Sequence, residues 1–230
     1  MSDPRDDVAA LVPAYRAAAT IAAVVAGVRT RLAHVLVVDD GSDDETGRRA
    51  AAAGAEVIRH PANAGKGAAL ATGLRALAGR GVVHALTLDA DGQHLADQIP
   101  VLLAASDAAP SAIVVGVRRK TGHTIRGLNR FGNWFADRCL RVIAGQPLPD
   151  TQSGFRVYPV ATTLELGVRG THYDFETEVL LRAARRGIPL VGVPVDVHYP
   201  PVAERVSHFR PARDTLRIIE SVVRVLAGPG

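Results

Sequence analysis

Cysteine is nearly absent from this chain. Cys139 stands alone among 230 residues, so no internal disulfide can hold the fold, and the composition suits a reducing compartment. Aromatic residues make up only 4% of the chain, which gives little support to nucleic-acid recognition by base stacking. Long apolar runs are also missing. The longest uncharged one, Ala17–Val28, has twelve residues and is too short to span a bilayer. The opening stretch Met1–Asp7 is polar and acidic, unlike a signal peptide. No repeat, low-complexity tract or long linker divides the chain, so a single domain over residues 1–230 is expected. Together these features point to a cytoplasmic protein that at most touches the cytoplasmic membrane face.

The chain has ample apolar content, 47%, for a substantial core. Lys and Arg outnumber Asp and Glu by 27 to 23, there are eight histidines, and the isoelectric point is near 9.7. A basic surface permits phosphate, nucleic acid or acidic lipid as partners.

Short β-branched runs alternate with alanine-rich stretches of helical character. Strands are expected at Val8–Val12, Val35–Val38, Glu56–Arg59, Val82–Leu88 and Ala112–Gly116, and helices at Ala17–Arg31, Asp44–Ala53, Lys66–Ala78 and Asp97–Ser106. This order predicts an α/β fold with a mostly parallel sheet flanked by helices. Ligands of such sheets bind beyond the carboxyl ends of the strands. Pro13-Ala14-Tyr15, Asp39-Asp40-Gly41-Ser42 and Asp89-Ala90-Asp91 each follow a strand and should share one rim. Later come helices at Ile125–Ile143, Phe175–Arg186 and Pro211–Leu226, and a strand at Leu190–Val197. In the first of these, Arg126, Arg130, Arg138 and Arg141 gather near Trp134, either as a solvated face or as an interfacial one for anionic lipid. In the last, Leu216, Ile219, Val223 and Leu226 are expected to pack, leaving Arg217, Glu220 and Arg224 wet.

The most informative run is Leu86-Thr87-Leu88-Asp89-Ala90-Asp91-Gly92-Gln93. Carboxylates at i and i+2 of an extended strand end lie on one side and can grip one divalent cation, with Mg²⁺ or Mn²⁺ suited to oxygen ligands. A solvated Asp-rich turn is the alternative. Asp40 adjoins Asp39 at a second strand end and can accept hydrogen bonds from a nucleoside, whereas Ser42, Asp43 and Asp44 are explained by capping the next helix. Asn63-Ala64-Gly65-Lys66-Gly67 opens a helix, and its amino end with Lys66 attracts phosphate. Asp150-Thr151-Gln152-Ser153-Gly154-Phe155-Arg156 reads either as a turn feeding an edge strand or as an acceptor-side segment with Asp150 as base or electrostatic guide. Arg205, His208 and Arg210 lie in a basic loop able to close over a pyrophosphate.

In this order, Val12-Pro13-Ala14-Tyr15, Val38-Asp39-Asp40-Gly41-Ser42, Asn63-Ala64-Gly65-Lys66-Gly67, Asp89-Ala90-Asp91-Gly92-Gln93, Gly116-Val117-Arg118 and Asp150–Arg156 resemble glycosyltransferase family 2, in its polyprenyl-phosphate (dolichyl-phosphate mannosyl- and glucosyltransferase-like) branch. The resemblance spans about residues 8 to 215 and implies a GT-A fold. It also implies an inverting hexosyl transfer from a UDP- or GDP-linked sugar to a lipid phosphate or glycolipid at an anionic membrane, with no nucleic-acid partner. Residues 8–116 would form the donor half and 117–230 the acceptor half. Carried over, Pro13, Tyr15, Val38 and Asp40 hold the nucleoside, with Ala90 in the same donor segment. Asp89, Asp91 and Gln93 hold Mg²⁺ or Mn²⁺, while Lys66, Arg118 and Arg205 meet the diphosphate. Asp150 and Arg118 serve catalysis, and Arg126, Arg130 and Arg156 hold the acceptor phosphate. Two positions depart from the family pattern: Arg16-Ala17 replaces Asn-Glu, and Glu204–His208 replaces a Gly-Glu-Ser-Lys-like signature. A nucleotidyltransferase and a non-catalytic basic adaptor are the rival readings. The first is disfavoured because Pro13-Ala14-Tyr15-Arg16 stands where a Gly-rich basic signature is usual.

Overall fold

The computed structural model describes residues 6–119, 149–197 and 211–227. Its strands are β1 (Val8–Ala14), β2 (His34–Asp39), β3 (Glu56–Arg59), β4 (His84–Thr87), β5 (Ile113–Arg118), β6 (Arg156–Pro159) and β7 (Leu190–Val195). Its helices are α1 (Ile21–Arg29), α2 (Thr46–Ala52), α3 (Lys66–Ala78), α4 (Ile99–Ala108), α5 (Val160–Glu165), α6 (Asp174–Arg185) and α7 (Pro211–Ala227). All seven strands form one sheet in the order β3-β2-β1-β4-β6-β5-β7. The pairings are parallel except those of β6, which runs antiparallel to both β4 and β5.

Alternation along the strands feeds two cores. Val8, Ala10, Val12, Val35, Val37, Leu86, Val114 and Val157 face α1, α2 and α4. Ala9, Leu11, Leu36, Val38, Ala85, Ile113, Val115 and Tyr158 face α3, α5 and α6. A proline in an interior strand normally costs a ladder bond. Pro13 avoids this because β1 leaves β4 after Leu11↔Thr87, and the Leu88 N–H donates to the Leu11 carbonyl as the final bond on that side.

Several expectations change. The helix expected from Ala17 begins at Ile21; ahead of it the Ala17 and Ala18 N–H groups donate to Thr46 Oγ1 and Asp44 Oδ2, and Thr20 and Ile21 close a turn on the Ala17 carbonyl. Ser42 and Asp43 do not cap α2: Ser42 Oγ accepts the Arg16 N–H, and Asp43 pairs with the Arg16 guanidinium. The edge-strand reading of the segment after Asp150 fails, since β6 lies inside the sheet. Helix α7 is turned opposite to expectation. Asp214, Ser221 and Val225 are buried, while Leu216, Ile219, Val223 and Leu226 are exposed. Among the described residues no helix is long and apolar enough to cross a membrane. The expected helix Ile125–Ile143, with Arg126 and Arg130, and the basic loop of Arg205, His208 and Arg210 lie outside the described residues.

Arg156 also needs correction. Expected at the acceptor phosphate, it is 0% exposed at the start of β6. Its guanidinium donates to the Ser153, Thr151 and Glu176 carbonyls and to the Tyr158 hydroxyl, at 2.7–3.1 Å. The cation therefore ties β6 to the loop before it and to α6, with no face left for a substrate. Burial pushes the Tyr158 hydroxyl up to about 12, so it stays neutral beside Arg156. Replacing Arg156 with lysine removes the planar fork that reaches several acceptors at once. Arg156→Lys is expected to lower unfolding free energy by about 2–4 kcal/mol, read by urea denaturation, because buried carbonyls lose their donors.

Candidate active site

β1, β2, β3, β4 and β5 all point their carboxyl ends to one rim, as parallel pairing requires. The antiparallel β6 brings its amino end, with Asp150–Phe155, to the same rim. Thr87 pairs with Arg156, and carrying that register two residues further sets Gly154 opposite Asp89. A Cβ on Gly154 would stand 2.5 Å from Asp89 Oδ2, so only glycine allows that carboxylate its place. Thr87 Oγ1 donates to the Gly154 carbonyl at 3.0 Å and fixes the approach.

Lys66 is the first residue of α3, and its Nζ lies 2.6 Å from Asp89 and 2.8 Å from Glu176, with only 16% of its side chain exposed. The Tyr173 ring covers the ammonium with its centroid 5.8 Å away. Burial opposes the charge on Lys66, but Asp89 and Glu176 outweigh it and hold the ammonium protonated well above its usual range. Asp89 is likewise disfavoured by burial, yet Lys66 and then His94 keep it ionised below the usual carboxylate range. Among the described residues Asp91 forms no such ion pair, although Lys66 and His94 act on it from further away. Burial and the neighbouring Asp89 raise its pKa, and its Oδ1 accepts the Gln93 N–H at 2.9 Å. An all-oxygen pair in which one carboxylate is matched and the other is raised is a place that a hard dication would relieve. The Asp89 and Asp91 carboxylates are thus oxygen donors of the kind that Mg²⁺ or Mn²⁺ takes, and Gln93 is joined to them through its N–H bond to Asp91. Among the described residues, no three His, Cys, Asp or Glu side chains converge as a fuller ligand set.

Gly65 precedes Lys66 with φ of +104°, and any Cβ there would meet the Thr171 carbonyl and the His172 ring. The Ala68 N–H donates to that same Thr171 carbonyl at 2.9 Å. The start of α3 is therefore set against the segment that leads into α6, which is how Glu176 reaches Lys66. Glu176 and His94 are site residues that the sequence reading missed. His94 follows Gln93 directly, stacks on Phe155 at 5.0 Å and points Nε2 toward Asp89 at 3.8 Å. Its Nδ1 is buried without a hydrogen-bond partner. Glu176 offered no signal, because its neighbours in sequence read as an ordinary helix.

Other expected residues take positions of their own. Pro13 and Val38 are register partners whose side chains are buried, while Tyr15 is half-buried above them. The buried Ala90 offers its carbonyl to Thr20 Oγ1 at 2.6 Å, which pins the turn before α1 to the rim. Arg118 and Asp150 meet in a two-point ion pair, at 2.6 and 2.9 Å. Burial opposes ionisation of Asp150, but Arg118 overrides it and holds the carboxyl below the usual carboxylate range. Asp40 differs from its expected contact with a nucleoside. It is 2% exposed and accepts N–H bonds from Ala64 (2.9 Å) and Gly65 (2.8 Å), with His60 Nδ1 at 2.7 Å. It anchors the loop that delivers Lys66. Asp40→Ala would leave the buried Gly65 N–H and the part-buried Ala64 N–H without their acceptor. It is expected to cost on the order of 2–4 kcal/mol and to speed amide hydrogen exchange at Ala64 and Gly65, read residue by residue.

The geometry has counterparts. Over 97% of its length the chain superposes on glucosyl-3-phosphoglycerate synthase from Mycobacterium tuberculosis, solved with Mn²⁺, UDP-glucose and phosphoglyceric acid. The TM-score is 0.74, the identity is 20%, and 80% of that chain is covered. The shared architecture is the GT-A fold. Glycosyltransferase AglJ of Haloferax volcanii is 33% identical over 215 residues, spanning 91% of this chain and 68% of that one. An undecaprenyl-phosphate mannosyltransferase of Micrococcus luteus is 32% identical, covering 70% of each. Residues 9–160 match glycosyl transferase family 2, from β1 through the carboxylate pair to the end of β6, and the chain belongs to that family.

Proposed function

We propose that this glycosyltransferase moves a hexose, with inversion, from a UDP- or GDP-linked sugar to a lipid-linked acceptor, polyprenyl phosphate or a glycolipid, beside an anionic membrane. It would act as one domain, with residues 8–116 on the donor side and 117–230 on the acceptor side. The observation that carries the donor half is the Asp89–Asp91 pair, in which Lys66 balances the first carboxylate and leaves the second in need of a cation. Asp91 and Gln93 are the principal ligands in this reading, with Asp89 adding an oxygen. Bound there, Mg²⁺ or Mn²⁺ supplies neutralisation of the charge that develops on the leaving diphosphate. Lys66 sits at the same place and orients Asp89 throughout. Tyr15, the backbone at Pro13 and Val38, and Ala90 form the floor for the nucleoside and sugar.

The acceptor half rests on Asp150. Both its oxygens face Arg118, and its pKa is held down, which makes it a poor general base. An acceptor phosphate is already anionic and needs no base, so this geometry favours it over a hydroxyl. The relative that acts on undecaprenyl phosphate supports the same choice. Asp150 then serves to position Arg118, whose guanidinium meets the anionic groups of the reaction.

Two outcomes test this. Asp91→Asn should weaken nucleotide-sugar binding about 100-fold in the presence of Mn²⁺, while leaving the metal-free affinity unchanged, as read by calorimetry. Equal metal dependence in variant and parent would refute the ligand assignment. Asp150→Asn should raise KM for the lipid phosphate with a kcat loss below tenfold, whereas removal of a general base costs about 10²–10⁴ in kcat. The same variant has a pH signature. Because the folded pKa of Asp150 is depressed, its stabilising contribution is complete well above its ordinary value of 3.8 and disappears as pH falls below that value. The gap in melting temperature between parent and Asp150→Asn should therefore be full at pH 7 and close on acidification.

A further inference from the structure

Helix α7 turns two polar side chains inward and an aliphatic stripe outward. Its buried side carries Asp214 and Ser221, and Ser221 Oγ donates to Asp174 at 3.0 Å. Arg224 reaches Glu178 at 3.5 Å, and Arg217 pairs with Asp214 at 3.6 Å. The opposite side bears Leu216, Ile219, Val223 and Leu226, exposed by 60%, 53%, 58% and 49% at spacings of three, four and three. Asp214 and Ser221 share the packed face with Val222 and Val225, and the aliphatic stripe on the opposite side is left in solvent over more than two turns. A monomeric surface rarely carries such a stripe without a partner.

We propose that this stripe is the surface by which the protein rests on an anionic lipid bilayer. The surrounding charges select that occupant. The acids of α6 and α7 that pair with arginines, Glu178 and Asp214, are both buried. Next to the stripe on α7, Arg213 is exposed and Arg217 and Arg224 are half-buried, with Glu220 as the exposed acid of that helix. An aliphatic stripe edged by arginine suits the boundary between acyl chains and anionic headgroups. A second copy of the chain fits poorly, because four aliphatic side chains fall far short of the roughly 800 Å² per partner that a stable interface buries. Position agrees as well. The first turn of α7 stands close enough to His172 for the charges of Arg217, Asp214 and Arg213 to act on that ring, and Tyr173 covers Lys66. The stripe thus begins beside the active-site rim, where a lipid-linked acceptor would arrive; in that respect it rests on the lipid-acceptor reading above.

The test uses the full chain and the double variant Leu216→Glu/Val223→Glu. Both positions are exposed, so melting temperature and donor affinity should match the parent. The parent should float with liposomes of phosphatidylcholine and phosphatidylglycerol at low salt and detach at high salt, and the variant should bind roughly tenfold more weakly or worse. Transfer to a polyprenyl phosphate held in those liposomes should fall by about the same factor, while transfer to a short-chain, water-soluble prenyl phosphate should not change. Equal flotation of parent and variant overturns the proposal. So does a parent dimer by light scattering that becomes monomeric in the variant. If flotation follows the stripe but neither prenyl phosphate is glycosylated, the docking surface stands and the lipid-acceptor reading falls.

Discussion

The ammonium of Lys66, held between Asp89 and Glu176, is the interaction on which the site depends. Three separate parts of the chain meet in it: the start of α3, the end of β4 and the first turn of α6. A largely buried cation between one buried and one half-buried anion is costly to desolvate and is tolerated when each charge is matched at close range. That requirement reaches outward. Asp40 must hold the loop before Lys66, glycine must stand at 65 and 154, and Arg156 must tie β6 to α6 so that Glu176 arrives in place.

The same arrangement makes Asp89 and Asp91, the proposed metal pair, unequal. Asp89 is matched from within the protein, whereas Asp91 is crowded by burial and by Asp89. A site built this way keeps one oxygen group preorganised and charged and leaves the other dependent on an incoming cation, which is a familiar way to place a perturbed group at a functional rim. Asp150 shows the converse. Its pairing with Arg118 lowers its proton affinity and removes it from base chemistry, while aiming a guanidinium at the rim.

A buried-charge theme also explains α7. Glu178 accepts the Gly170 N–H at 2.9 Å and Arg182 at 2.7 Å, and it attracts Arg224. With Ser221 and Arg224 drawn toward Asp174 and Glu178, the side that bears Leu216, Ile219, Val223 and Leu226 is turned outward, while Val222 and Val225 pack inward.

The sequence by itself determined the parallel order of β1 to β5, the rim of carboxylates after β4, and the resemblance carried by motifs from Val12 to Arg156. These were legible because strand periodicity and strand-end motifs are local: each is written in consecutive residues. Tertiary structure alone decided the rest. The interior place of β6 depends on partners about 40 and 70 residues earlier in the chain, which a four-residue strand cannot reveal. The burial of Arg156, the anchoring role of Asp40 and the arrival of Glu176 depend on which donors and acceptors meet across the fold. Periodicity in Pro211–Ala227 correctly marked an amphipathic helix and misjudged which face turns inward. A helical pattern records that two faces differ, and only the charges waiting on the neighbouring helix settle which one is buried.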